Sequence, residues 1–150
     1  MLFIFDLDDT TINSQHRQGE TLADWIALNT PENVARDSLL PLADSWKTID
    51  QSRDDVVIMT SRVIADADLA FLARSGLRYR FIYSRPEGSM IPCGQLKTAM
   101  VLQCARDLGR SLAWMRSNAF MFDDSNEVRE ALTALKIKCY NPISYNARNA

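Results

Sequence analysis

Near the start of the 150-residue chain three carboxylates fall within four positions, in the run Asp6-Leu7-Asp8-Asp9-Thr10. Held together at the edge of a core they repel one another and lose hydration, at a cost of several kcal/mol unless a positive charge sits among them. A divalent cation would compensate them. Asp6 and Asp8 are two apart, so on extended backbone they face the same side. One can then attack while the other handles a proton. Two more clusters offer matching chemistry: Thr60-Ser61-Arg62, with hydroxyls and a guanidinium suited to an anion, and the acidic pair Asp123-Asp124. Each also has a plainer account when taken alone. Asp8-Asp9-Thr10 reads as a polar turn and Thr60 as an ordinary strand end. Asp124 reads as the N-cap of a helix, with Glu127 completing a capping box. Lys97 reads as a solvated charge in a helix's first turn, although a cation there opposes the helix dipole and so favours an anionic partner.

The elements that must position these residues decide between the two accounts. Leu2-Phe3-Ile4-Phe5 and Val56-Val57-Ile58-Met59 are apolar runs of strand length without alternation, the pattern of strands buried on both faces. Ala119-Phe120-Met121-Phe122 is a third such run, and further strands are expected over residues 79–83 and 137–140. Between them lie helical patterns. Leu22, Trp25 and Ile26 share a face of a short helix ending near Asn29. Leu39, Leu42, Ala43, Trp46 and Ile49 recur at helical spacing behind Ser38 as N-cap. Helices are also expected over 66–75, closed by Gly76, over 95–108, stopped by Gly109, and over 126–135.

Strands alternating with helices imply an α/β fold, a three-layer sandwich with a mostly parallel central sheet, whose strands present their carboxyl ends to a ligand crevice. Three strands end in the clusters named above. Their convergence on one crevice is the strongest signal in the chain.

A hydrophobic fraction of 47% and no glycine- or proline-rich tract predict one domain over residues 1–150, with 141–150 a frayed polar tail. A net charge of −2 excludes a protein that coats nucleic acid through a long phosphate-neutralising surface, though not one that grips a single phosphorylated end. Cys93, Cys104 and Cys139 form an odd set without ligand spacing, and with His16 the single histidine a zinc site is not expected. No run is long enough to span a bilayer and no signal peptide is evident, so a soluble cytoplasmic protein without a membrane partner is expected.

Together these residues resemble the haloacid dehalogenase superfamily of phosphohydrolases. Its first motif, Asp-x-Asp-x-Thr, stands as Asp6 to Thr10; the strand-ending hydroxyl as Thr60; the helix-opening lysine as Lys97; the acidic pair as Asp123-Asp124. The resemblance implies that Asp6 is the nucleophile that forms an aspartyl-phosphate and Asp8 the general acid and base. It implies Mg²⁺ held by the Asp6 carboxylate, the Asp8 carbonyl, Asp123 and waters, with Asp124 acting directly or through a bound water, and Thr60 and Lys97 on the phosphoryl oxygens.

Only about forty residues separate Asp8 from the second long strand, which leaves no room for a large cap. An open site follows, suited to a chain end. Within the superfamily the sequence is most similar to the 3′-phosphatase domain of phage-type polynucleotide kinases, through Arg17, Arg62 and Arg85 with Glu87-Gly88, and through Phe122-Asp123-Asp124-Ser125. That similarity implies a 3′-phosphorylated nucleic acid end or nucleotide as substrate, with Arg17, Ser61, Arg62 and Arg85 binding it. Cys93 and Gly94 depart from the pattern, because that family carries an acidic residue there. The rival readings are a 5′-nucleotidase or general phosphomonoesterase of the same mechanism and, more distantly, a receiver-like phospho-acceptor. In a receiver the acidic pair follows the first strand and the lysine the last, the reverse of this order.

Overall fold

The computed structural model describes residues 1–150. Five parallel strands form the central sheet in the order β5-β4-β1-β6-β7: β1 (Leu2–Phe5), β4 (Asp55–Met59), β5 (Phe81–Tyr83), β6 (Ala119–Phe122) and β7 (Lys138–Tyr140). β1 lies at the centre, with Ile4 paired to Val57 on one side and Met121 on the other. Its unbroken apolar run is explained by cover on both faces. Leu2 and Ile4 enter a core with Met100 and Val101 of α5 (Cys93–Leu108) and Val128 and Leu132 of α7 (Asn126–Ala134). Phe5 enters a second core with Trp46 of α3 (Pro41–Lys47) and Phe71 and Leu72 of α4 (Asp66–Arg74). There the Phe5 ring stacks on Trp46 at 4.8 Å between centroids.

The ladder continues one residue past the strand ends. Asp6 N donates to Phe122 O at 3.1 Å, Asp123 N to Tyr140 O at 3.1 Å and Thr60 N to Tyr83 O at 2.9 Å. Asp6, Thr60 and Asp123 are therefore brought to the same end of the sheet, as a parallel arrangement requires.

Between β1 and α3 a flap departs from the sheet. It comprises β2 (Ile12–Asn13), a single 3₁₀ turn (Gln15–Arg17), α1 (Leu22–Leu28), α2 (Pro31–Val34) and β3 (Ser38–Leu39), with β2 and β3 pairing antiparallel. This corrects the expected Ser38 N-cap. Ser38 and Leu39 are held as strand by Ile12 and Asn13, and α3 begins at Pro41, whose fixed φ suits a first helical position. α2 and α6 (Leu112–Asn118) were not expected; the latter is capped by Ser111, whose hydroxyl accepts from Trp114 N at 3.0 Å.

The tail is not frayed. α8 (Ile143–Asn149) is pinned by Asn146, which accepts from Leu42 N at 2.9 Å and donates to Thr10 O at 3.0 Å. These bonds satisfy an orphan N–H at the start of α3 and a carbonyl beside the carboxylate cluster. α5 and α7 approach closely because of Gly94, where a Cβ would lie 3.3 Å from the Ala131 and Glu127 side chains. No helix is long and apolar enough to cross a membrane.

Candidate active site

After β1 the chain turns sharply. Asp9 takes φ +60°, a left-handed conformation that aspartate tolerates, and the amides of Thr10, Thr11 and Ile12 all converge on Leu7 O. The Asp8 carbonyl is left without a hydrogen-bond donor and is free to act as a ligand. Carboxylate oxygens of Asp6, Asp123 and Asp124 lie within 4.8 Å of one another, a spacing at which one hard cation can be shared. Thr10 Oγ1 ties two of them, lying 3.2 Å from Asp6 Oδ2 and from Asp124 Oδ1 and accepting from Asp124 N. Lys97 reaches in from α5, its ammonium 3.0 Å from Asp6 Oδ1 and 2.7 Å from Asp123 Oδ2.

One lysine does not balance this group. Burial pushes the Asp6 carboxyl well above the usual carboxylate range, and repulsion from Asp123 adds to it, with Lys97 pulling the other way. Asp124 is raised as well, by burial and then by Asp123. A divalent cation fits the oxygen donors present: the Asp6, Asp123 and Asp124 carboxylates and the free Asp8 carbonyl.

Asp8 sits in the opposite environment. Arg62 holds both of its oxygens, Nη2 on Oδ1 and Nε on Oδ2, while Ser14 donates to Oδ1. Burial raises this carboxyl, but Arg62 overcomes it and the net shift is downward. Arg62 is itself held at 2.6 Å by Asp68, and its own pKa is raised by the surrounding carboxylates against the effect of burial. Arg17 makes a fork to Asp37, at 2.8 Å and 2.7 Å, and is almost fully buried. Asp37 also lies 3.7 Å from Arg62, so the flap and the loop after β4 share one charge network. Asn29 at the end of α1 adds a bond to Val63 O at 2.9 Å.

A cavity of about 480 Å³ opens at this end of the sheet. Asp6, Asp8, Ser61, Arg62, Arg85, Lys97, Asp123 and Asp124 line it, whereas Thr60 and Arg17 do not. Thr60 is fully buried, and its hydroxyl accepts from Arg62 N at 3.0 Å. The Arg85 guanidinium, 3% exposed, donates to the carbonyls of Ser61, Ser89 and Ile91 and so staples the loop before α5 to the loop after β4. Glu20, Thr21, Leu22 and Trp25 of the flap wall the cavity, so the site is more enclosed than the short insert predicts.

The model of the bacteriophage T5 5′-deoxynucleotidase family matches residues 1–138, nearly the whole chain. The chain belongs to that family. No curated protein matches its sequence. Among solved structures it is similar to a chain of the Pnkp1/Rnl/Hen1 RNA repair complex, at 20% identity and a TM-score of 0.69, covering 93% of this chain and 41% of that one. It thus spans less than half of that relative's length. It is also similar to a haloacid dehalogenase-superfamily hydrolase, subfamily IA, from Geobacter sulfurreducens (12% identity, TM-score 0.64, 92% and 84% covered). A hydrolase from Streptococcus pneumoniae aligns likewise (11%, TM-score 0.60, 93% and 90%). At these identities the structures speak for the fold, which is that of the haloacid dehalogenase superfamily. The family match adds that the chain is a member of a nucleotidase family on this fold.

Several functional residues escape sequence reasoning. Ser14, Asp37 and Asp68 hold Asp8 and the arginines, yet none stands in a motif, and these bonds span 6 to 20 residues. Thr10 stands inside the first motif and could have been assigned from its spacing. Asp124 is not an N-cap: Ser125 caps α7, accepting from Val128 N, and Glu127 instead accepts from Gly94 N at 3.2 Å.

Proposed function

We propose that the chain is a Mg²⁺-dependent phosphomonoesterase that hydrolyses deoxynucleoside 5′-monophosphates through an aspartyl-phosphate on Asp6. The observation that carries the reading is the gathering of Asp6, Asp123, Asp124 and Lys97 at the buried end of one cavity. Bound there, Mg²⁺ would offset the carboxylate charge and let an anionic phosphate approach. The Asp6 carboxylate then attacks phosphorus in line with the departing ester oxygen. Lys97, held between Asp6 and Asp123, is within reach of the phosphoryl oxygens on which charge develops. Asp8, kept ionised by Arg62, is ready to take a proton from the water that opens the acyl-phosphate. It delivers a proton to the leaving oxygen only when the Arg62 clamp loosens.

Charge supports the mononucleotide. Each cation lining the cavity already has partners: Lys97 with Asp6 and Asp123, Arg62 with Asp8 and Asp68, Arg85 with three carbonyls. Glu20 and Glu127 add negative charge to the lining. Nothing remains to hold the further phosphates of a strand or of a di- or triphosphate. Membership in the 5′-deoxynucleotidase family supports the same choice. The second reading, removal of 3′-phosphates from nucleic acid ends, is favoured by the fold shared with a chain of an RNA repair complex.

Turnover of deoxynucleoside 5′-monophosphates, their 3′-isomers and a 3′-phosphorylated oligonucleotide, with Mg²⁺ or EDTA, tests the choice. The 5′-monophosphates are expected to react fastest and only with Mg²⁺. A faster reaction of the oligonucleotide would overturn the substrate assignment.

A further inference from the structure

The cavity changes character between its two ends. Lys97 and Asp123, at 1% exposure, mark the sealed end, and Met90, at 67%, marks the mouth. Apolar side chains also line it, Leu22 and Trp25 from α1 and Met90 and Ile91 from the loop before α5, beside the exposed Glu20, Thr21 and Glu127. Neither group serves the core. α1 has no buried residue, although its N-terminus is fully capped by Thr21 and Asp24, which exchange bonds of 3.2 Å. A seven-residue helix whose Leu22, Trp25 and Leu28 are half-buried but join neither core needs another reason to be held in place.

Both segments are held in place. The Trp25 indole N–H donates to Gly19 O at 2.9 Å, which fixes the orientation of the ring. Gly19 is required there, because a Cβ would fall 2.1 Å from that of Asp24. Asn29 anchors the far end of α1 to Val63 O. Across the chain, Arg85 holds the Ser89 and Ile91 carbonyls, so the loop is ordered while the Met90 and Ile91 side chains remain exposed. Two separately anchored apolar segments that line the same cavity as the carboxylates and Lys97 match a ligand whose phosphate end is polar and whose far end is flat and apolar-faced.

We propose that Leu22, Trp25, Met90 and Ile91 form a nucleobase clamp, with Trp25 as its stacking platform and the specificity-determining residue for base-bearing phosphomonoesters. The proposal rests on the nucleotidase reading and deepens it. The occupant is the base of the same nucleotide whose phosphate meets Asp6. Stacking on an aromatic ring is tolerant of base identity and is removed by truncation to alanine.

The test compares kcat/KM for deoxyadenosine 5′-monophosphate with kcat/KM for 2-deoxyribose 5-phosphate, which has the same ester and no base. The ratio is measured in the native protein, in Trp25→Ala and in Trp25→Phe. The native protein is expected to prefer the nucleotide, and Trp25→Ala to lower the ratio about tenfold to a hundredfold, chiefly through KM. Trp25→Phe should restore the ratio to within about threefold of native, because a ring still stacks. A ratio unchanged in Trp25→Ala, or a native protein that treats the two compounds alike, overturns the clamp and leaves the phosphatase standing. Failure to hydrolyse either compound, with an aryl phosphate still cleaved, overturns the nucleotidase reading and the clamp with it.

Discussion

Asp6 and Asp8 are two residues apart on one turn, yet the protein treats them in opposite ways. Asp6 faces Asp123 and Asp124 with a single lysine, and its carboxyl is raised. Asp8 faces Arg62 and Ser14, and its carboxyl is lowered. The first region sets one lysine against three carboxylates, an excess of negative charge that a bound cation would offset. In the second, Asp8, Asp37 and Asp68 are all paired within the chain, to the guanidiniums of Arg62 and Arg17. Identical side chains thus acquire opposite charge environments from their neighbours alone.

The largest test of this contrast is on turnover. Asp6→Asn keeps the shape but removes the proposed nucleophile, so kcat should fall by about 10⁴-fold or more while the circular dichroism spectrum is unchanged. Substantial residual activity would assign the attack to another group. Next in size is Arg62→Ala, which leaves Asp8 and Asp68 buried without their shared guanidinium. Its cost should be about 3 to 5 kcal/mol in denaturant unfolding. A cost below about 1 kcal/mol would mean that the second region is not a self-paired unit.

Mg²⁺ should separate the two regions further. At a concentration about a hundredfold above its dissociation constant it should add about 2.7 kcal/mol, a rise of several degrees in the melting temperature. Asp124→Asn should shrink that gain, and Ser14→Ala, on the other side, should not. The smallest effects are expected without metal. In EDTA, Asp6→Asn should melt higher than native, because the folded state already disfavours that charge. Asp8→Asn should melt lower, because it strips Arg62 of a partner. Shifts of the same sign in both variants would erase the contrast.

How much of this was legible in the sequence follows from how local each feature is. The runs Leu2–Phe5, Val56–Met59 and Ala119–Phe122 announce doubly covered strands by composition alone, and the clusters that follow each run fall at one end of the sheet as the parallel topology demands. β2 and β3 are two residues each and exist only by pairing Ile12 with Leu39 across the flap, so no window of sequence reveals them. α8 depends on Asn146 bonding to Leu42 and Thr10, residues more than a hundred positions away. The arginines show the same limit. Their proximity to the site could be anticipated, but not that Asp37, Asp68 and three carbonyls would already engage Arg17, Arg62 and Arg85.

Calorimetric titration of Mg²⁺ into the native protein and into Asp6→Asn, Asp8→Asn and Asp123→Asn measures the asymmetry directly. Binding should be retained in Asp8→Asn, whose backbone carbonyl persists, and be lost or greatly weakened in the other two. Equal affinity in all four proteins would place the cation elsewhere and contradict the account.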